Sequence, residues 1–446
     1  MTEIAPVVGD SSASEPADEA RVAIIGLGYV GLPLGLSLLE AGLSVVGVDA
    51  DEGRLESMRN GRSVVGDVPD ARLRQALDRG LELRSTDDAG LDAVDVVFVC
   101  VPTPVTAAKE PDLTAVLSAA DLIARTLRRG QLVILQSTTY PGTTMGPFRE
   151  RLETSGLSAG RDFSLAFAPE RINPGDPLQA QQSLPKLVGG VTPADTARAG
   201  RLMRRLGGEV HELSSPDAAE LAKLLENVFR NVNIALVNQL ALLCERMGLD
   251  VWEVIDAAAT KPFGFMAFRP GPGVGGHCIP VDPYYLAWRA RQFGVTDRFV
   301  ELAGDINTEM PVHVAELTSA ALNERGRSTN GARVGVIGVA FKANVSDSRN
   351  SPAAVVMAEL VHRGAKVSFH DPHVETFADA SGGSYDSATL TDLLAGSDVV
   401  VALVGHDAVD WDRVYEAAGL VVDTISSSSG RRTRPGQVLR LGAGWS

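Results

Sequence analysis

The run VAIIGLGYVGLPLGLSLLEAGLSVVGVD, residues 22–49, constrains this chain more than any other stretch. Residues 22–25 are apolar and read as a buried strand. Gly26, Gly28 and Gly31 follow at the spacing G-x-G-x-x-G, then a helix-like run, then a second strand ending at Asp49. A β-α-β unit whose loop wraps a phosphate meets all of these demands. Gly26 permits the tight turn, Gly28 lets backbone approach a pyrophosphate, and Gly31 lets the helix pack on the strand. Tyr29 and Val30 lead into a helix N-terminus that faces the phosphates. Asp49 lies about twenty residues on, where a carboxylate bonds both ribose hydroxyls and repels a 2′-phosphate. The expected cofactor is therefore NAD rather than NADP. Arg54 either reaches the adenosine side or is a solvated helix charge.

The same architecture continues. Residues 94–101 and 132–135 are continuous apolar runs, as buried parallel strands require. The first ends in Pro102-Thr103-Pro104 and the second in QSTTYPGTT. Residues 163–168 form a further strand, ending in Pro169-Glu170-Arg171. Open α/β sheets bind ligands at strand C-termini. Thr103, Ser137 and Thr138 are thus placed to meet cofactor or substrate, although turn or cap hydroxyls look the same. Strands at 333–339, 365–372, 398–404 and 420–424 make a second α/β unit. It lacks the glycine fingerprint, since Val-Ala-Phe-Lys follows Gly338. Lys342, Asp347 and Arg349 come directly after its first strand, and a Lys and an Arg there suit a diphosphate.

Between the halves the pattern turns helical. From Asp217 no Gly or Pro occurs for about thirty residues, and apolar residues keep helical spacing. Lys223, Asn227 and Asn231 sit at i, i+4 and i+8 on one face. Such a stripe is either a solvated face or the wall of a site. Next comes FRPGPGVGGHCIPVDPYYLAW, residues 268–288. Its Gly and Pro content excludes a regular helix or central strand through 270–276. Cys278 ends this loop beside His277, either as an activated nucleophile or as a buried structural thiol. Asp282-Pro283 reads as a helix start, with Asp282 as N-cap. The fold expected is α/β: two Rossmann-like doubly wound parallel-sheet domains joined by a long helical segment. The boundaries expected are an acidic disordered tail at 1–20, a dinucleotide half at 21–215, a central segment at 216–315 and a second half at 316–446.

Composition narrows the partners. A formal charge of −15 argues against nucleic acid. Three cysteines in 446 residues make no disulfide framework, which fits a reducing cytoplasm. No apolar run reaches membrane-span length. Residues 1–20 carry no Lys or Arg, so they do not read as a signal peptide. No set of His and Cys has metal-ligand spacing.

The motifs GLGYVGLP, STTYPGT, PERINPG, ELAKLLENVFR, TKPFGF, PGPGVGGHCIPVDPYYL and GVAFKANVSDSRNSP together resemble the UDP-glucose/GDP-mannose dehydrogenase family, over nearly all of residues 21–430. The resemblance implies NAD-dependent oxidation of the C6 hydroxyl of a UDP-sugar to a carboxylate, in two hydride steps. Cys278 matches the nucleophile that captures the aldehyde and carries a thioester. Lys223 and Asn227 match the pair that stabilises the oxyanion. Asp282 matches the carboxylate that positions water, and Thr138 and Glu170 match residues supporting the thioester steps. Pro102, Thr103 and Ser137 join residues 26–31, Asp49 and Arg54 around NAD. Glu170, Arg171, Arg269, Gly273, Gly275, Gly276, Phe341, Lys342 and Arg349 are expected around the UDP-sugar. The Arg171–Gly175 sequence RINPG and the context GGHCIPVDP match the members acting on N-acetylhexosamines, so UDP-N-acetylglucosamine is expected. UDP-N-acetylmannosamine and UDP-glucose are the alternatives. A non-catalytic nucleotide-sugar sensor is an alternative of another class, and the intact Cys278, Lys223, Asn227 and Asp282 argue against it. A homodimer or higher homo-oligomer is expected through the helices at 217–260.

Overall fold

The computed structural model describes residues 21–66, 68–106, 108–171 and 183–445. The expected acidic tail and residues 172–175 lie outside the described residues.

Two sheets organise the chain. The first holds β1 (Arg21–Ile25), β2 (Ser44–Asp49), β3 (Glu82–Ser85), β4 (Val96–Val99), β5 (Leu132–Leu135), β6 (Ser164–Phe167), β7 (Lys186–Gly190) and β8 (Val210–Leu213). Their order is β3-β2-β1-β4-β5-β6-β7-β8. All neighbours are parallel except β6 and β7. The order reverses direction between β1 and β4, and there the strand ends open a crevice. Val22, Ile24, Phe98 and Ile134 face one core layer and Ala23, Val97, Val99 and Val133 the other, so both faces are covered by helices.

The second sheet holds β9 (Arg333–Ile337), β10 (Lys366–His370), β13 (Val399–Ala402), β14 (Val421–Asp423), β15 (Val438–Arg440) and β16 (Gly444–Trp445), in the order β10-β9-β13-β14-β15-β16. A small hairpin of β11 (Thr376–Ala378) and β12 (Ser384–Asp386) packs beside β10, where the Phe377 and Phe369 ring centroids lie 6.0 Å apart. The Ser/Arg/Gly-rich tail folds onto this sheet, because Val438 and Leu441 are fully buried. Its end also ties back to the helices. Trp252 Nε1 donates to Leu441 O at 2.9 Å, and Arg440 pairs with Asp250 at 2.8 Å.

The central helix Pro216–Met247 joins the halves. Ser215 caps its start by accepting from Ala218 N–H, Pro216 occupies the first turn, and Gly248 ends it at φ +69°. It packs chiefly on the helices Asp282–Gln292 and Arg298–Glu324. No helix among the described residues is long and apolar enough to cross a membrane.

Candidate active site

The fingerprint loop is built as its glycines demand. Gly26 has φ +95°, and a Cβ there would stand 2.6 Å from the carbonyl oxygen of Cys100. A Cβ on Gly31 would stand 1.8 Å from Gly26 O, so the helix Gly31–Glu40 sits directly on the turn. Around Gly28 the nearest atom to such a Cβ is Arg54 Nη1 at 3.8 Å. That side of the loop is open for a pyrophosphate to approach. Asp49 accepts from Leu27 N–H at 2.8 Å, and Arg54 lies 4.0 Å from the same carboxylate. The loop, the helix start and the carboxylate fit NAD. Pro102 is exposed and Thr103 half-buried at the end of β4, beside this loop. Ser137 turns back into the sheet and donates to Val101 O at 2.7 Å.

The second half repeats the turn but closes it. Gly338 has φ +84° and its N–H donates to His370 O at 2.9 Å, as Gly26 N–H does to Val48 O at 2.8 Å. Asp371 then stands where Asp49 stands. Its Oδ2 accepts from Val339 N–H at 2.7 Å, Ala340 N–H at 3.1 Å and His406 Nε2 at 3.0 Å. Its Oδ1 accepts from His373 N–H at 2.8 Å. The carboxylate is spent on its own chain, so a second dinucleotide finds no ribose partner there.

The helical stripe forms a wall. Lys223, Asn227 and Asn231 are all buried, which excludes the solvated-face reading. Asn227 Nδ2 donates to Asp282 Oδ2 at 2.5 Å. The helix after the cysteine loop begins at Asp282 itself, with Val281 at the N-cap position. The expected Asp282 N-cap is therefore corrected: its side chain turns inward to Asn227. Burial pushes its carboxyl up to about 7, against the pull of Lys223 and the Asn227 hydrogen bond.

Cys278 is exposed to solvent at the cleft, although protein is packed densely around it. That packing, with Asp282, pushes the thiol up to about 11, while Lys223 and Arg349 pull it down. The resting group is a thiol, and a base must take its proton before it attacks. Cys100 and Cys244 are core residues.

The strand-end loop 137–144 is fastened to the central helix by Glu220. This residue is fully buried three positions before Lys223. Its carboxylate accepts from Gly142 N–H at 2.7 Å, Thr144 N–H at 2.9 Å and Thr144 Oγ1 at 2.7 Å. Thr138, half-buried, sits on this loop. Glu170 accepts from Gln136 Nε2 at 3.1 Å and from Arg171 N–H at 2.7 Å. Arg171 pairs with Glu226 at 2.6 Å, next to Asn227 on the helix. The sequence reading misses Glu220, although a Glu on the face of Lys223 and Asn227 was the available signal.

The cysteine loop leans on the second half. A Cβ on Gly275 would stand 2.9 Å from Phe341 Cβ, and one on Gly276 2.9 Å from the Phe341 ring. A Cβ on Gly273, at φ +125°, would press Asn307 O at 3.1 Å. Lys342 is half-buried at the start of this face. Arg349 pairs with Asp347 at 2.6 Å and stacks over Tyr29 of the fingerprint loop, 4.4 Å from the ring centroid. Arg269 pairs instead with Asp256 on the surface. Cofactor loop, helix wall, cysteine loop and cationic loop thus meet around one cleft.

The chain matches three domains of one family: the NAD binding domain over residues 20–207, the central domain over 217–309 and the UDP binding domain over 335–427. It is 38% identical over 358 residues to the UDP-N-acetyl-D-glucosamine 6-dehydrogenase of Pseudomonas aeruginosa, covering 80% of this chain and 83% of that protein. It is 35% identical over 401 residues to the UDP-N-acetyl-D-mannosamine dehydrogenase of Pyrococcus horikoshii, covering 88% and 92%. A solved structure of a UDP-D-ManNAc dehydrogenase from Pyrococcus horikoshii superposes with a TM-score of 0.85 at 32% identity, covering 95% of this chain and 99% of that one. This chain belongs to the UDP-glucose/GDP-mannose dehydrogenase family and is an NAD-dependent oxidoreductase acting on a nucleotide sugar.

Proposed function

We propose that the protein oxidises the C6 hydroxyl of a UDP-N-acetylhexosamine to a carboxylate by four electrons, with UDP-N-acetylglucosamine as the favoured substrate. The carrying observation is the buried Asn227–Asp282 pair at 2.5 Å, with Lys223 beside it and Cys278 four residues before Asp282. The match of Cys278 and its GGHCIPVDP context to the N-acetylhexosamine members supports the sugar. UDP-N-acetylmannosamine fits the same site and has relatives of comparable similarity.

NAD, when bound along residues 26–31, supplies the hydride acceptor for each oxidation. Lys223 and Asn227 stabilise charge on the C6 oxygen as its proton passes to solvent and the C6 carbon gives its hydride to NAD+. Asp282, poised near neutrality, receives the Cys278 proton as sulfur bonds to the aldehyde carbon. The C6 carbon of the thiohemiacetal then gives a second hydride to a second NAD+ and its hydroxyl proton to solvent, leaving a thioester on Cys278. Water then adds to its carbonyl carbon, the C–S bond breaks, and the thiol is regenerated. Thr138 and Glu170, at the ends of β5 and β6, are assigned to holding that water. The residues at 26–31, Asp49, Arg54, Pro102, Thr103 and Ser137 surround NAD. Arg171, Gly273, Gly275, Gly276, Phe341, Lys342 and Arg349 face the UDP-sugar. In this reading Arg269, paired with Asp256 on the surface, serves the loop more than the ligand.

A homodimer built on the central helix belongs to the same reading. Leu225, Phe229, Leu236, Leu243 and Met247 are 46–61% exposed along one side of it. A cytoplasmic site fits three unpaired cysteines.

The test is NADH formed per UDP-sugar consumed at saturating NAD+, with the three candidate sugars in parallel. About two NADH per UDP-N-acetylglucosamine is expected. About one would remove Cys278 from its role, and two with UDP-glucose alone would overturn the acetamido assignment.

A further inference from the structure

A cavity of about 240 Å³ lies behind the loop that carries Cys278. Val274, Pro280, Pro311, Pro352 and Val355 give it mostly apolar walls. Beside the fully paired amide of Asn307, it is lined by a second buried amide, Asn231, 4% exposed.

The orientation of that amide follows from an obligate donor. Gly271 N–H can only donate, and it donates to Asn238 at 3.0 Å, so the accepting atom is Asn238 Oδ1. Asn238 Nδ2 must then donate to Asn307 Oδ1, at 2.9 Å. Asn307 Nδ2 in turn donates to Asn231 Oδ1 at 2.9 Å and to the Asn231 main-chain carbonyl at 3.1 Å. The ladder runs one way and ends with Asn231 Nδ2, which has no partner among the described residues. An amide N–H without a partner on a cavity wall suits a carbonyl acceptor.

The position relates this donor to the reacting carbon. Asn231 is one helical turn beyond Asn227, about 5–6 Å away between Cβ atoms, and Asn227 holds Asp282. Val274 and Pro280 belong to the loop of Cys278. In a pyranose ring C2 stands opposite C5, so a C2 substituent projects away from C6. With C6 at Cys278, a ring lying along the central helix would carry that substituent toward Asn231. An amide N–H among largely apolar walls matches an acetamido group, whose oxygen accepts and whose methyl packs. A hydroxyl would leave the apolar walls unfilled.

We propose that Asn231 and the cavity at its Nδ2 form the subsite for the sugar's 2-acetamido group, with Asn231 donating to the acetyl carbonyl and Val274, Pro311 and Val355 packing the methyl. This rests on the acetamido reading above. A carbonyl of the nucleobase has the same chemistry, and the experiment separates the two.

Asn231→Ala removes the donor while Asn307 keeps the main-chain carbonyl of residue 231. Ala354→Leu narrows the same cavity from the helix Pro352–His362 and leaves the amide ladder intact. The full chain is assayed for kcat/KM with UDP-N-acetylglucosamine and UDP-glucose, and for competitive inhibition by UDP. Each variant is expected to lower the acetamido-to-glucose ratio of kcat/KM by about ten-fold or more, with UDP inhibition unchanged. An unchanged ratio overturns the subsite. A matching loss of UDP inhibition also overturns it and assigns the donor to the base. Wild-type turnover of UDP-glucose but of no acetamido sugar defeats the underlying substrate reading, whatever the variants do.

Discussion

Glu220 accepts two hydrogen bonds from Thr144, one from its N–H at 2.9 Å and one from its Oγ1 at 2.7 Å. This contact fixes the strand-end loop of the first half against the helix that carries Lys223 and Asn227. Burial pushes the carboxyl up to about 7, against the hydrogen bonds of Thr144 and Gly142. Glu220→Ala would strand those donors and cost about 3 kcal/mol or more. Glu220→Gln keeps an acceptor and costs about 1–2 kcal/mol. Because the loop holds Thr138, both variants are expected to lower kcat more than they raise the KM for NAD+. Urea unfolding and steady-state kinetics on the same preparations test this. Unchanged kcat in a destabilised Glu220→Gln protein would limit the residue to folding.

Asp282 carries a pH signature. Its folded value of about 7 lies above the ordinary carboxylate value of 3.8. The native state therefore holds a proton that the unfolded chain releases between those two values. Native stability from this group is fully present below about pH 4 and is lost as pH rises to about 7. Asp282→Asn keeps the bond to Asn227 without the charge. It is expected to raise the Tm on the order of 2 °C or more at pH 8 and less at pH 5, while abolishing turnover. An equal Tm shift at both pH values would contradict the buried-charge account.

Legibility differed with the range of the physics involved. The first β-α-β unit was readable because its glycines, strands and Asp49 act within one local motif. β3 and β8 escape the same reading, since ELRS and VHEL carry no continuous apolar run and are at most half-buried. β7 ends in two glycines and runs antiparallel to β6, which no local pattern signals. Residues 425–446 are rich in Ser, Arg and Gly, and that composition hides the buried Val438 and Leu441. Lys223, Asn227 and Asn231 are ambiguous by spacing, since periodicity places residues on a face without saying what covers it. The Asn238–Asn307 bond that orients Asn231 spans 69 residues and has no sequence signature.

Cys278→Ser separates the two oxidation steps. Serine is a poorer nucleophile toward the aldehyde and, once acylated, forms an ester that hydrolyses more slowly than a thioester. The variant is expected to lose steady-state turnover by about 10³-fold or more. In a single-turnover experiment it should still form up to about one NADH per active site. A full second equivalent at the wild-type rate would show that sulfur carries no intermediate.

Arg349, held by its pair with Asp347 in the same loop, ties the two halves together at the cleft through its stack on Tyr29 at 4.4 Å. A lysine keeps the charge but loses the planar face and the fork. Arg349→Lys is expected to raise the KM for the UDP-sugar about ten-fold and to raise that for NAD+ less. Tyr29→Ala removes the stack and should weaken NAD+ binding more than UDP-sugar binding. Equal effects of both variants on both ligands would mean that the contact governs domain closure rather than separate subsites.

The central helix makes the last prediction. Leu225, Phe229, Leu236, Leu243 and Met247 repeat at four- and seven-residue intervals and leave an apolar stripe uncovered within one chain. The opposite face is already used, by Lys223, Asn227, Asn231 and the helix Arg298–Glu324. A monomer seldom leaves a contiguous apolar patch of more than a few hundred Å² open to water. A second copy meeting it about a two-fold axis would cover leucine with leucine. Leu225→Asp combined with Leu236→Asp places like charges on both sides of such an interface. Light scattering is expected to give twice the chain mass for the wild type and the chain mass for the double variant. A monomeric wild type with full activity would assign the stripe to another partner.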